Sequence, residues 1–230
     1  MESESYIVGL DLGQAQDYTA LAVVRRIVPP WPADKPRMVP DRPGLGSINM
    51  VPAKDTRKAT YELGHLERFA LGTRYPAIVA ATCELLQRAP LSRATPLVID
   101  FTGVGRAVEN MYDGTGVRPV AITITGGDEV IRESNYHIKV PKRDLVSTLD
   151  VLFQSERLKI ASELEAAPIF VNELLNFRRK VDLNTAHDRY EAWRESIHDD
   201  LVLAVALACW HGEHPPLSRK LVLHRPGMLR

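Results

Sequence analysis

Four carboxylates stand at the ends of apolar segments. Asp11 closes the aliphatic run in YIVGLDLG, Asp100 closes the run in PLVIDFTGVG, and Asp199 with Asp200 opens HDDLVLAVALACW. A strand ending on an acid delivers it to the carboxyl edge of a sheet, and a helix packed across that edge can bring its first turn to the same place. Carboxylates gathered there repel and raise one another's pKa unless a cation neutralises them. Hard oxygen donors, with no Cys or His in the pattern, favour magnesium or manganese over zinc. Two such ions would clamp the attacking water and the leaving oxygen of a phosphoryl transfer. Each acid also has a plainer duty. Asp199 or Asp200 suits the N-cap of the last helix, Asp100 could cap the helix after its strand, and Asp11 suits a turn. Caps explain the acids one at a time; they do not predict convergence.

The elements that must position these acids read as follows. YIVGLDLG and TALAVVRRIV form a hairpin turning at Gly13 to Tyr18. Pro29 to Gly46 is rich in proline and glycine and is expected to be an exposed insertion without regular structure. INMVP and TYELGHLERFA supply further strands of the same sheet. PAIVAATCELLQRA is a helix with Ile78, Val79, Thr82, Leu85 and Leu86 at helical spacing and Pro76 near its start. Leu97, Val98 and Ile99 make a strand buried on both faces, followed by a helix over about 105–113 and a strand, VRPVAITIT. KRDLVSTLDVLFQSERLKIA is expected to be a helix presenting Leu145, Leu149, Leu152 and Phe153, and ELEAAPIFVNELLNFRRKV another. Between Phe177 and Trp193 a polar stretch could make a two-stranded excursion tipped by Asn184. The last helix carries the Asp pair.

Composition narrows the class without choosing the chemistry. The 230 residues, with 29 basic and 29 acidic side chains, suit one domain of zero formal charge, so any basic surface must come from local clustering. Cys83 and Cys209 lie far apart in apolar segments and read as buried free thiols of a reducing compartment. No run reaches the roughly 18 apolar residues of a membrane span, and MESESYIVGLDLG lacks the basic flank of a leader. The expectation is a soluble intracellular protein.

At the same acids the chain resembles the nuclease domain of the large terminase subunit of tailed bacteriophages, a ribonuclease-H-like family. GLDLGQAQDYTALAVV, YELGHLERFALGTRYPAIV, LVIDFTGVG, VPKRDLVSTLDVLFQSERLKIA, NELLNF and HDDLVLAVALA carry the likeness in family order, over about Tyr6 to Trp210. HDDLVLAVALA is the most specific of them. The resemblance implies an α/β fold, a ribonuclease-H-like mixed sheet of three antiparallel strands and then parallel strands, flanked by helices. It implies a nuclease domain over 1–212, with an insertion at 29–46, and a basic C-terminal tail over 213–230. Asp11, Asp100, Asp199 and Asp200 become catalytic metal ligands for Mg2+ or Mn2+, two ions expected, in an endonuclease that cuts concatemeric double-stranded DNA during genome packaging in the cytoplasm of the bacterial host. Asp200, with Asp199 as second candidate, would complete the site from the helix, and cleavage would leave 5′-phosphate ends.

Partners implied by the resemblance are a packaging ATPase domain or subunit, a small terminase and a portal, with no membrane. No GxxxxGK[ST] phosphate loop occurs in the chain, so it is expected to be an excised domain, a split subunit or a prophage remnant. DNA phosphates call for cations near the acidic edge. Lys139, Lys142 and Arg143 in IKVPKR, and Arg178, Arg179 and Lys180, are the candidates, each set against a merely solvated surface. His198 could orient the acids or bond locally, and the HxxH of His211 and His214 reads as surface. Three rivals stay open: an ATP-binding actin and sugar-kinase-like domain, with DFTGVG as its phosphate turn; a Holliday-junction resolvase; and a domain that only binds DNA or a phage partner.

Overall fold

Alternation along two strands decides where the acids point. Strand β1 (Ser3–Asp11) pairs antiparallel with β2 (Ala20–Val28) and parallel with β6 (Leu97–Asp100). Successive side chains on a strand face opposite sides. Ile7 joins one core and Val8 and Leu10 the other, so Gly9 and Asp11 fall on the side of Ile7. On β6, Val98 belongs to that same core while Leu97 and Ile99 belong to the opposite one, so Asp100 faces the same side as Asp11. The structure, a computed structural model, describes residues 1–13, 17–40, 50–52, 55–184 and 199–215.

An eight-stranded mixed sheet runs through the centre. Its remaining strands are β5 (Thr60–Arg68), β7 (Val120–Thr125), β8 (Ile131–Arg132), β9 (His137–Pro141) and β10 (Leu158–Ile160), in the order β10-β5-β2-β1-β6-β7-β9-β8. The three antiparallel strands β1, β2 and β5 give way to parallel pairing through β6, β7 and β9, as expected, and β10 adds parallel to the outer edge of β5. Helices α1 (Tyr75–Leu85) and α2 (Gly105–Asn110) cover one face. Helices α3 (Lys142–Gln154), α4 (Ala167–Asn184) and α5 (Asp200–Glu213) cover the other.

Helix α5 is buried on every side, from Asp200 to Gly212, because the sheet lies beneath it and α3 and α4 flank it. That explains a sequence apolar around the whole helix. Its backbone reaches β1 directly: a Cβ at Gly9 would collide with the carbonyl of Ala204. The smallest residue therefore sets the closest approach of helix and strand.

Four expectations are corrected. INMVP does not join the main sheet; β4 (Met50–Pro52) pairs with β3 (Met38–Pro40) in a separate two-stranded ribbon, β5 having taken the edge of β2. The ribbon also puts regular structure inside the Pro-rich insertion, which edge pairing permits because each strand reads Met-Val-Pro and an edge strand tolerates proline. The helix expected through QSERLKIA stops at Gln154: Glu156 takes φ of 54°, reversing the chain so that Leu158 can enter the sheet. Phe177 to Asn184 continue α4 instead of forming a strand, and the rest of the supposed excursion lies outside the described residues.

Candidate active site

The register places Asp11 and Asp100 beside each other. Leu10 pairs with Ile99 across β1 and β6, so both acids are the next residues on their strands. Both are buried, as is Asp200 in the first turn of α5. Burial pushes the Asp11 carboxyl well above its ordinary pKa, and the charges of Asp100, Asp200 and Asp199 push it further, against a pull from Lys142. Asp100 is raised by burial too, while the Thr102 N–H, donated to its Oδ1 at 2.7 Å, and Lys142 oppose the rise. Asp11 thus feels the charge of the other three predicted acids, and Asp100 that of Asp199.

Two cations stand among them. Lys142, the first residue of α3, donates from Nζ to Asp199 Oδ2 at 3.1 Å. Its burial lowers its pKa, a change resisted by Asp199, Asp11 and Asp100. Arg68, at the end of β5, donates from Nη2 to Asp200 Oδ2 at 3.2 Å and also pairs with Glu173 on α4. Its guanidinium lies 4.7 Å from the centre of the Tyr18 ring.

The capping explanation for the Asp pair fails. Asp199 occupies the N-cap position of α5, yet its side chain makes no capping hydrogen bond. Glu173 accepts one from the Leu201 N–H at 3.2 Å instead, reaching across from α4. Burial and the charge of Asp200 raise Glu173 to about 7, with Arg68 working the other way. A capping acid from another helix leaves Asp199 and Asp200 turned towards Lys142 and Arg68. Asp100 does serve its turn, through Thr102, but α2 takes no side-chain cap.

Asp11, Asp100, Asp199 and Asp200 are the residues that could hold a divalent cation. The donor set fits one: among the described residues four carboxylates stand against two nearby cations, and burial raises the Asp11 and Asp100 carboxyls above their ordinary pKa. Among the described residues no three His, Cys, Asp or Glu side chains already close into a cage.

The other sequence candidates scatter. Lys139 pairs with Glu133 at 2.6 Å, and Arg143 with Asp128. Lys142 points into the acids and not outward. Arg178, Arg179 and Lys180 ride on α4, their side chains outside the described residues, and His198 lies outside them altogether. His211, expected at the surface, is buried; burial lowers its pKa to about 4, and its Nδ1 has no hydrogen-bond partner among the described residues. Its neighbour His214 stacks on Trp210, with ring centroids 4.6 Å apart. Cys83 and Cys209 are free, the second fully buried. Sequence reasoning missed Arg68 and Glu173. The signal for Arg68 was parity, since Arg68 and Leu66 share a strand face and Leu66 is core; nothing in the sequence marked Glu173.

No known family profile matches the chain, and no curated protein matches its sequence. Solved structures do. A crystal structure of the large terminase nuclease from thermophilic phage G20c with bound magnesium matches with a TM-score of 0.50 and 21% identity, over 90% of this chain and 81% of that one. The same nuclease with bound zinc matches at 0.45 and 21%, over 90% and 80%. The human cytomegalovirus terminase nuclease domain matches at 0.47 and 14%, over 91% and 84%. The chain thus has the fold of the large terminase nuclease domains, a ribonuclease-H-like mixed sheet flanked by helices.

Proposed function

We propose that this protein is a divalent-metal-dependent DNA endonuclease of a phage genome-packaging machine, hydrolysing phosphodiester bonds of concatemeric duplex DNA. The observation that carries the reading is that Asp11, Asp100, Asp199 and Asp200 come to one sheet edge, near enough for the charges of Asp100, Asp200 and Asp199 to add to burial in raising the Asp11 carboxyl. A bound pair of Mg2+ or Mn2+ ions would supply the missing positive charge and an activated water. The fold supports the reading, and so does the magnesium bound to the phage G20c nuclease.

The chain's own groups do the holding. Asp11 and Asp100 offer fixed oxygens from the sheet, because each ends a buried strand. Asp199 and Asp200 would offer theirs from the start of α5, where Lys142 and Arg68 hold them. Thr102 holds Asp100: its own hydroxyl accepts the Ile124 N–H at 3.0 Å, tying the turn after β6 to β7.

DNA would approach along this edge. A cleft of about 510 Å3, lined by Gly13, Asp17, Thr19, Thr73, Arg74 and Tyr75 among others, opens beside the end of β1. Arg74 gives it a cation for the phosphate backbone. Exposed Arg143 and Lys139 and the basic stretch Arg178 to Lys180 are further contacts in this reading. The packaging ATPase, small terminase and portal are its proposed partners, and the host cytoplasm its proposed place. No helix among the described residues is long and apolar enough to cross a membrane.

The test is incubation of purified protein with supercoiled plasmid, linear plasmid and a four-way junction, in magnesium, manganese or EDTA, beside Asp11→Asn and Asp200→Asn. Metal-dependent cutting of both plasmids that the variants lose is expected. Cutting confined to the junction would transfer the protein to the resolvases. No cutting, with ATP bound instead, would sink the nuclease reading.

A further inference from the structure

We propose that Glu173 is a positioning residue for the Asp199–Asp200 pair, capping α5 from the neighbouring helix and setting the Asp200 carboxylate through Arg68; the role rests on the nuclease reading above. A helix start leaves four backbone N–H groups without partners inside the helix, and a side-chain oxygen from the N-cap residue commonly satisfies one. Here Asp199 holds the N-cap place and gives no such bond. Glu173 Oε2 accepts the Leu201 N–H at 3.2 Å, while its Oε1 pairs with Arg68 Nη2. That same nitrogen donates to Asp200 Oδ2 at 3.2 Å.

One carboxylate therefore grips both the backbone turn that carries the Asp pair and the cation that holds one of its side chains. Glu173 is almost fully buried, at 5% exposed, and Arg68 is fixed from its other side by the Tyr18 ring. Had Asp199 capped α5, its oxygens would be spent on backbone N–H groups. Moving the cap to α4 leaves Asp199 Oδ2 to Lys142 instead. Groups that orient ligands in this way typically govern metal affinity by about 10- to 100-fold.

The experiment compares wild type, Glu173→Ala, Glu173→Gln and Leu86→Ala, all metal-free at the start. Leu86→Ala opens a cavity on the opposite face of the sheet and serves as a matched loss of stability. Three quantities are read: manganese affinity by calorimetry, melting temperature, and amide hydrogen exchange at Leu201. Glu173→Ala is expected to bind manganese about 10- to 100-fold more weakly and to exchange faster at Leu201. Glu173→Gln, which keeps an oxygen for the Leu201 N–H but loses the charge facing Arg68, should restore slow exchange and recover only part of the affinity. Leu86→Ala should melt lower with unchanged affinity. Wild-type affinity in Glu173→Ala, or an equal loss in Leu86→Ala, overturns the positioning role. Wild-type protein that binds no divalent ion and cuts no DNA overturns the nuclease reading and the metal-positioning role together, while exchange at Leu201 still reports whether Glu173 is the cap.

Discussion

Lys142 Nζ lies 3.1 Å from Asp199 Oδ2, on the inner side of the acidic edge. Helix α3 thus contributes a cation to the acidic edge, whose carboxylates are partly balanced there by the protein's own lysine. Lys142→Met should cost about 2 kcal/mol of metal-free stability, less than a fully buried pair because both side chains keep some solvent contact. Magnesium should then raise the melting temperature more in the variant than in wild type, since the ion replaces the lost charge. Thermal scans with and without magnesium check this; equal shifts in both proteins would refute it.

Asp11 trades stability for charge. Its folded pKa is raised above its unfolded value, so below the unfolded pKa its contribution is fully present, and stability is lost as pH rises from near 3.8 through the folded pKa. Asp11→Asn removes that loss. The variant should be more stable than wild type at pH 8 in EDTA, with a shallower dependence on pH, while cleavage falls on the order of a thousandfold or more. Denaturant unfolding at several pH values and a plasmid assay check both halves.

How much of this was legible follows from where each residue's meaning resides. Asp11, Asp100 and the Asp199–Asp200 pair were visible because each ends an apolar run, and strand alternation sends the first two to the face that α5 covers. Lys142 was legible as a charge, but its turn towards the acids was not, because sequence gives the sign of a side chain and not its direction. Arg68 and Glu173 look like ordinary polar positions on half-buried elements; only the meeting of β5, α4 and α5 gives them a role. Strand β10 was hidden for a local reason, since the helical pattern of α3 runs on past Gln154 and the break depends on a positive φ at Glu156, a residue type that rarely signals one.

His211 gives the fold an acid limit away from the acidic edge. Its folded pKa of about 4 lies below its unfolded value near 6.5, so its contribution is present above 6.5 and lost as pH falls towards 4, by at most about 3 kcal/mol. His211→Phe should flatten stability across that window. Unfolding free energies at pH 5 and pH 7.5 check it, and an unchanged difference between the two would count against it.

Gly9→Ala should disturb the site without touching an acid. The new methyl would meet the Ala204 carbonyl and the Ala208 side chain. Overpacking of this kind costs about 1 to 3 kcal/mol, and α5 must shift to relieve it. Melting temperature and cleavage rate should fall together, whereas Gly64→Ala, with open space around its Cβ, should change neither.

Docking of α5 onto β1 also imposes an order in time. Asp11 and Asp100 leave the ribosome long before Asp199 and Asp200, and domains form as their later segments emerge. A nascent chain carries half of its acidic cluster until the last helix settles on Gly9. The four carboxylates therefore meet only once α5 has docked, and a partly made chain lacks the complete acidic cluster.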